Sequence, residues 1–511
     1  MGSCVLAVAL LWAIHPIQTA TVGYISQRTE ILMGLCFLLT LYFFIRSREQ
    51  PAAPHRLPLS VLACAAGMAS KEVMVTAPIV VLLYDRVFVA ESFRAAWRAR
   101  SGYYLALAAT WLLLAGLMQT GLEQRGVGFG LGVSWFRYAL TETGALLTYL
   151  RLAAWPHPLI FDYGPVFAEP GIRALGTAAL VLGLIAVSVV AFRRRPAAGF
   201  AACSVFILLA PTSSVVPVAL QPIAESRTYL PLAPLLVLAV LGAHAALGRR
   251  GGAAALTFAC GLCLVAVARN RTMQSELTLW ADNVAKRPEN PRAHGNYGLA
   301  LSDAGRPREA LAHFRQALER APNDATTWQN LANAHVQLRE LPEAIAGYRR
   351  AVALSPRRAI ARSGLGVALF ENGERDEALA HYAEALRLDP NFASAHQNLG
   401  RALFHLGRFA EAASHYAAVL RLTPGSANAH YDLGLALART GDIDRASQHF
   451  NRALALKPDP AAHLNYARFL AQAGRNAEAI ASLEAALRLR PDFPEALAER
   501  ERLRASPERP R

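Results

Sequence analysis

Beyond Cys263 the chain has no cysteine, and lysine occurs only three times in 511 residues. The second half therefore needs no disulfide and suits an oxidising compartment without one. Its lysine scarcity is read as gene base composition rather than selection for guanidinium chemistry. Acidic residues are scarce in the first half: residues 1–272 hold 21 basic and 10 acidic side chains, with no two acids adjacent. The remainder holds 31 and 27, so most of the +15 net charge belongs to the first half. An excess confined to loops between apolar runs excludes nucleic-acid binding as its explanation. No basic stretch precedes the first apolar run and further apolar runs follow it, so a span is expected there rather than a cleaved signal peptide.

Long apolar runs fill the first 270 residues. Spans are expected near 4–15, 22–45, 57–70, 73–90, 102–120, 172–192, 199–216, 229–247 and 252–268. Several fall short of the roughly 20 residues that a bilayer core demands. Arginine clusters at 46/48/56, 86/94/98/100, 193–195 and 249/250 mark one side as cytoplasmic by the positive-inside rule. Residues 136–154 then lie between two outer loops and are expected to run along or dip into the outer face. The last span delivers everything after Arg269 to the extracytoplasmic side. All six cysteines sit in the apolar runs, and Cys260 and Cys263 are expected to pack rather than bind metal.

The second half is periodic. Pro288, Pro322, Pro356, Pro390, Pro424, Pro458 and Pro491 are spaced by 34 residues five times and then by 33. A small residue recurs at Gly298, Ala332, Gly366, Gly400, Gly434 and Ala467. Twelve positions on stands alanine each time (310, 344, 378, 412, 446, 479), and four further on a large apolar residue (Phe314, Tyr348, Tyr382, Tyr416, Phe450, Leu483). Two helices approach closely where neither carries bulk, and proline stops the second helix. This pattern resembles the tetratricopeptide repeat, six units over residues 291–493, preceded by a half-unit at 271–290 and followed by a capping helix and polar tail at 494–511.

Such an array is expected to bind an extended peptide or protein segment on its concave face. Asn296, Asn330, Asn398, Asp432 and Asn465 occupy one repeat position, broken only by Gly364. Such side chains can hydrogen-bond a peptide backbone without reading its sequence. They can equally serve solvation and local helix contacts. His294, His396, His430 and His463 recur where the repeat consensus has tryptophan. They are read as packing residues, since equivalent positions in successive units lie too far apart to share a metal, and no metal site is expected.

Five polar stretches fall at the expected outer ends of spans: His15-Pro16-Ile17-Gln18-Thr19, Gln27-Arg28-Thr29-Glu30, Lys71-Glu72, Trp155-Pro156-His157-Pro158 with Asp162-Tyr163, and Glu225-Ser226-Arg227-Thr228-Tyr229. Ionisable groups at membrane depth are costly and are functional candidates. With the repeats that follow, these segments resemble the transmembrane and tetratricopeptide repeat-containing family of protein O-mannosyltransferases. The resemblance implies an all-α chain: a polytopic GT-C-type domain over 1–270, then the solenoid. It implies a polyprenyl-phosphate-linked sugar as donor, a protein acceptor on the repeats, and a multi-pass protein of a bacterial inner membrane with periplasmic repeats.

The donor phosphate then falls to Arg28, Lys71, Arg151 and Arg227, and a carboxylate must act as base. The family's base sits in an acidic pair of the first outer loop. That loop would precede His15-Pro16, and this sequence is expected to be truncated before it or to lack the usual base. Glu30, Glu72, Asp162 and Glu225 are the substitutes. Beyond the donor sugar no cofactor is expected. A non-catalytic membrane-anchored scaffold is the alternative.

Overall fold

The computed structural model describes residues 2–19, 28–50, 53–118, 134–211, 222–248 and 250–505. Every regular element among them is helical, so the chain is all-α as expected. It divides into two compact units, Met1–Ala300 and Leu301–Arg511.

In the first unit the apolar runs form helices of unequal length. Thr29–Glu49 and Ile172–Arg194 are long and apolar enough to cross a membrane, whereas Cys4–Ile14, Arg56–Met68, Pro196–Leu209 and Leu232–Leu247 are apolar but shorter. The helix Ile172–Arg194 leaves Leu182 65% and Val187 66% exposed, an apolar face suited to lipid. The runs are shorter as helices than as sequence because turns interrupt them. Residues 57–90 are divided by a 3-10 turn, Glu72–Thr76, after which Ala77–Phe88 restarts with Pro78 in its first turn. Phe93–Met118 carries a break at Arg100, whose φ of −146° is not helical. Arg100 there makes a two-pronged ion pair with the buried Asp85, at 2.8 and 2.6 Å. Trp135–Ala154 is a continuous helix that buries Tyr138, Thr141, Glu142 and Tyr149.

In the second unit, pairs of helices repeat with the expected period: Ala325–Gln337 with Leu341–Leu354, Ala359–Glu371 with Arg375–Leu388, Ala393–His405 with Phe409–Leu422, Ala427–Thr440 with Ile443–Leu456, and Pro460–Gln472 with Asn476–Leu489. The alanines at 344, 378, 412, 446 and 479 are wholly buried. The space beside Gly366, Gly400 and Gly434 is taken by the aromatic ring of the same unit. A Cβ added at Gly366 would meet Tyr382, and one at Gly400 would meet Tyr416, each at 2.8 Å. Each turn within a pair needs a left-handed residue, supplied by Gly305, Gly373, Gly407, Gly441 and Gly474, and by Arg339 in the remaining unit.

Candidate functional site

The first unit draws four of the five polar stretches onto one short turn, Glu225–Thr228, and the residue after it. The turn Pro16–Gln18 packs against it, and the backbone oxygen of Tyr229 accepts from Gln18 Nε2 at 3.2 Å and Trp12 Nε1 at 2.8 Å. His15 is buried and links Ala153 O, 3.1 Å from Nε2, to the N–H of Ile17, which donates to Nδ1.

The segment after Trp155 reaches the same turn through Glu225. This carboxylate accepts from the Ile160 N–H at 2.5 Å and the Tyr163 hydroxyl at 3.2 Å. Burial raises its pKa to about 7, against the pull of Arg269 and these two hydrogen bonds. Arg227 is buried, donating to Pro222 O at 2.5 Å and standing 3.5 Å from Glu142 Oε1. Glu30 is 2% exposed and ion-paired with Lys71, and it feels the charges of Glu72 and Arg227. Residues from four helices and three turns thus share one polar neighbourhood.

The candidate bases differ in what already holds them. Glu30 is taken by Lys71 and Glu225 by Ile160 and Tyr163. Asp162 is fixed most firmly: Arg292 grips both its oxygens, and the Gly164 N–H donates to Oδ1 at 2.8 Å. Its own backbone is read by Asn283 and Asn290 at 2.9–3.0 Å, so it anchors its loop. Glu72, half-buried at the head of its turn, takes no hydrogen bond or ion pair among the described residues. Of the cations, Lys71 and Arg227 lie in this neighbourhood, and Arg151 is exposed in the last turn of its helix. Arg28 opens the helix Arg28–Glu49, but its side chain lies outside the described residues. Glu142 escaped sequence reasoning; its signal is a lone acid in an otherwise uncharged stretch, Tyr138 to Leu150. No group of three or more His, Cys, Asp or Glu side chains gathers to hold a metal among the described residues.

The repeats show two hydrogen-bond systems. Six residues after each of the first five repeat prolines, Pro288 to Pro424, stands a ring or guanidinium side chain that meets that proline's carbonyl, His294 lying 3.0 Å from Pro288 O. Trp328 donates to Pro322 O at 2.8 Å and Arg362 to Pro356 O at 2.9 Å. His396 and His430 lie 3.1 and 3.2 Å from the oxygens of Pro390 and Pro424. His294, His396 and His430 are therefore clasps as well as packing residues, whereas His463 lies 3.2 Å from Ser482 Oγ. A second system runs between neighbouring units. Asn398 donates to Ser363 at 3.4 Å, Gln397 to Asp432, and Asn465 to the Tyr431 hydroxyl at 3.0 Å. Three of the five expected ladder residues thus bond sideways to the preceding unit, while Asn296 and Asn330 make no hydrogen bond among the described residues.

The tetratricopeptide repeat family model matches residues 264–325, 298–359, 330–391, 363–427 and 431–494. The C-terminal array is made of tetratricopeptide repeats. Over 63% of its length the chain is similar to the human protein O-mannosyl-transferase TMTC1, 27% identical over 377 residues that cover 43% of that protein. The mouse protein of the same name is 30% identical over 125 residues, 23% of this chain and 13% of its own length. The chain therefore spans less than half the length of these relatives. Among solved structures, YrrB, described as a tetratricopeptide repeat protein with an unusual peptide-binding site, aligns at 25% identity and a TM-score of 0.30, covering 36% of this chain and 94% of YrrB. Pseudomonas aeruginosa pilF aligns at 23% and 0.37, covering 42% and 99%.

Proposed function

We propose that this chain is a multi-pass protein of a bacterial inner membrane that takes part in transfer of a sugar from a polyprenyl-phosphate carrier to protein hydroxyls, with its repeats holding the acceptor in the periplasm. One observation carries the reading: separate polar stretches from an apolar domain converge on the Glu225–Thr228 turn in a chain similar to an O-mannosyltransferase. In such a reaction the bond from the anomeric carbon to phosphate breaks as a serine or threonine oxygen attacks. The hydroxyl proton must go to a carboxylate, and the departing phosphate needs cations. Glu72 suits the first role because its side chain takes no hydrogen bond or ion pair among the described residues. Lys71, Arg151 and Arg28 suit the second, while Arg227, held by Pro222 and Glu142, positions the turn. Asn296, Asn330, Asn398, Asp432 and Asn465 are the proposed peptide contacts.

The chain reconstituted in bilayers with a polyprenyl-phosphate sugar and a Ser/Thr-rich protein tests this. Transfer should occur, and Glu72→Gln should lower its rate about 100-fold or more, the usual worth of a general base. Absence of transfer by the unaltered chain, or an unaffected Glu72→Gln variant, would overturn it.

A second reading is a non-catalytic membrane scaffold, favoured by the structural engagement of Glu30, Asp162 and Glu225. It requires that partner capture by the repeats survive neutralisation of Lys71, Glu72 and Arg151 together.

A further inference from the structure

In each of two adjacent repeats a pair of histidines faces across the helix hairpin. His396 Nδ1 lies 3.0 Å from His415 Nδ1, and His430 Nδ1 lies 2.9 Å from His449 Nδ1. The ring centroids are 5.2 Å apart in both. In each pair the first ring also meets a proline carbonyl through Nε2. A carbonyl only accepts, so Nε2 carries the proton, and the neutral ring turns an Nδ1 lone pair toward its partner. Metal-binding histidines are oriented in this manner, one nitrogen fixed by a backbone carbonyl and the other free to ligate.

We propose that each pair chelates one late first-row divalent ion, Cu(II) foremost, through the two facing Nδ1 atoms. The spacing selects the geometry. With metal–nitrogen bonds of about 2.0–2.1 Å, a tetrahedral ion separates two ligands by about 3.3 Å and a right-angled one by about 2.9 Å. The observed 2.9 and 3.0 Å match the right angle of a square-planar ion, and Cu(II) leads the affinity order for such ligands. On binding, the proton shared between the rings moves through solvent to Nε2 of the second ring, and two water ligands leave the ion. Among the described residues no third His, Cys, Asp or Glu joins either pair. Glu411, one turn from His415, is committed to Arg408 at 2.6 and 2.7 Å. The remaining positions on the ion belong to water or to a side chain of a bound peptide.

The fold does not demand histidine at these places. The same two positions hold His294 and His313 in the first unit, Trp328 and Gly347 in the second, Arg362 and His381 in the third, and His463 with Ser482, 3.2 Å apart, in the last. Serine is therefore a native occupant and the test substitution. Cu(II) is titrated into the full chain in detergent at neutral pH, with stoichiometry read by calorimetry and ligation by electron paramagnetic resonance. The variants are His415→Ser, His449→Ser and the double variant, with far-UV circular dichroism checking their folding. Each single variant should bind one ion fewer than the parent and the double variant two fewer, with loss of the paired-imidazole nitrogen couplings. Should the double variant misfold, the two single variants decide. An unchanged stoichiometry in the variants, no saturable binding by the parent, or tighter binding of Zn(II) than of Cu(II) would overturn the proposal.

Discussion

Asp162 and Arg292, 130 residues apart in sequence, form a two-pronged ion pair that ties the loop after Trp155 to the start of the repeats within the first unit. Removing one partner leaves a carboxylate 5% exposed without its counter-charge. Losing such a partner costs about 3–5 kcal/mol when both groups are buried, and less here because Arg292 is about one-third exposed. Arg292→Ala should therefore destabilise the first unit by about 2–3 kcal/mol, read as a lower thermal midpoint and faster proteolysis within residues 155–170. Arg292→Lys keeps the charge but loses the fork, and should fall between the two.

Glu225 gives the stability of the first unit a pH dependence of definite sign. Raised to about 7 by burial, it is protonated in the fold where the unfolded chain has already ionised, so its contribution is full below the ordinary glutamate range and is lost as pH rises toward 7. Glu225→Gln, which can still accept from Ile160 and Tyr163, should remove that loss: thermal midpoints of the variant should fall less than those of the parent between about pH 4.5 and 7. An equal fall in both would refute the assignment to Glu225.

The repeat architecture was legible because its constraints are local and strict. Proline, small residue, alanine and aromatic recur at fixed offsets, and each has a steric reason. The candidate site was legible only as a set of charges. Their partners lie 41 residues apart for Glu30 and Lys71, 65 for Ile160 and Glu225, and 130 for Asp162 and Arg292, separations that no periodicity encodes. Helix lengths within the apolar domain were legible only in part: the charged Lys71-Glu72 marks the break between 57–70 and 73–90, whereas the helix Phe93–Met118 begins before the apolar run expected at 102–120. The histidine pairs escaped because equivalent positions were compared between units, whereas the partner stands 19 residues away in the same unit.

Trp328 separates the clasp from packing. Phenylalanine keeps an aromatic ring but removes the N–H that donates to Pro322 O. Trp328→Phe should cost about 0.5–1 kcal/mol, the low end for a hydrogen bond because water can reach the carbonyl. Trp328→His, which other units use, should recover part of it. Chemical denaturation of the two variants side by side measures the difference.

Arg339 holds a φ of +63° where the equivalent turns hold glycine. A side chain in the left-handed region costs about 1–2 kcal/mol, and the pair it makes with Glu371 at 3.2 Å is exposed and contributes little. Arg339→Gly should therefore raise the stability of the second unit by about 0.5–1 kcal/mol after the glycine's own unfolded-state entropy is counted. A lower thermal midpoint would show that the Glu371 contact outweighs the backbone strain.

Gly364 is the gap in the amide ladder, and the structure gives its cause. A Cβ there would lie 2.5 Å from Cε1 of Tyr348, the aromatic of the preceding unit, whose hydroxyl donates to Asn333. The ring occupies the volume that an asparagine side chain would need. Completing the ladder by Gly364→Asn should therefore destabilise the array by about 1–3 kcal/mol, the usual cost of overpacking. Pairing it with Tyr348→Leu, which withdraws the ring edge and hydroxyl, should recover part of that loss, so a double-mutant cycle should give a favourable coupling. Additive effects would show that the ring does not set the identity of residue 364.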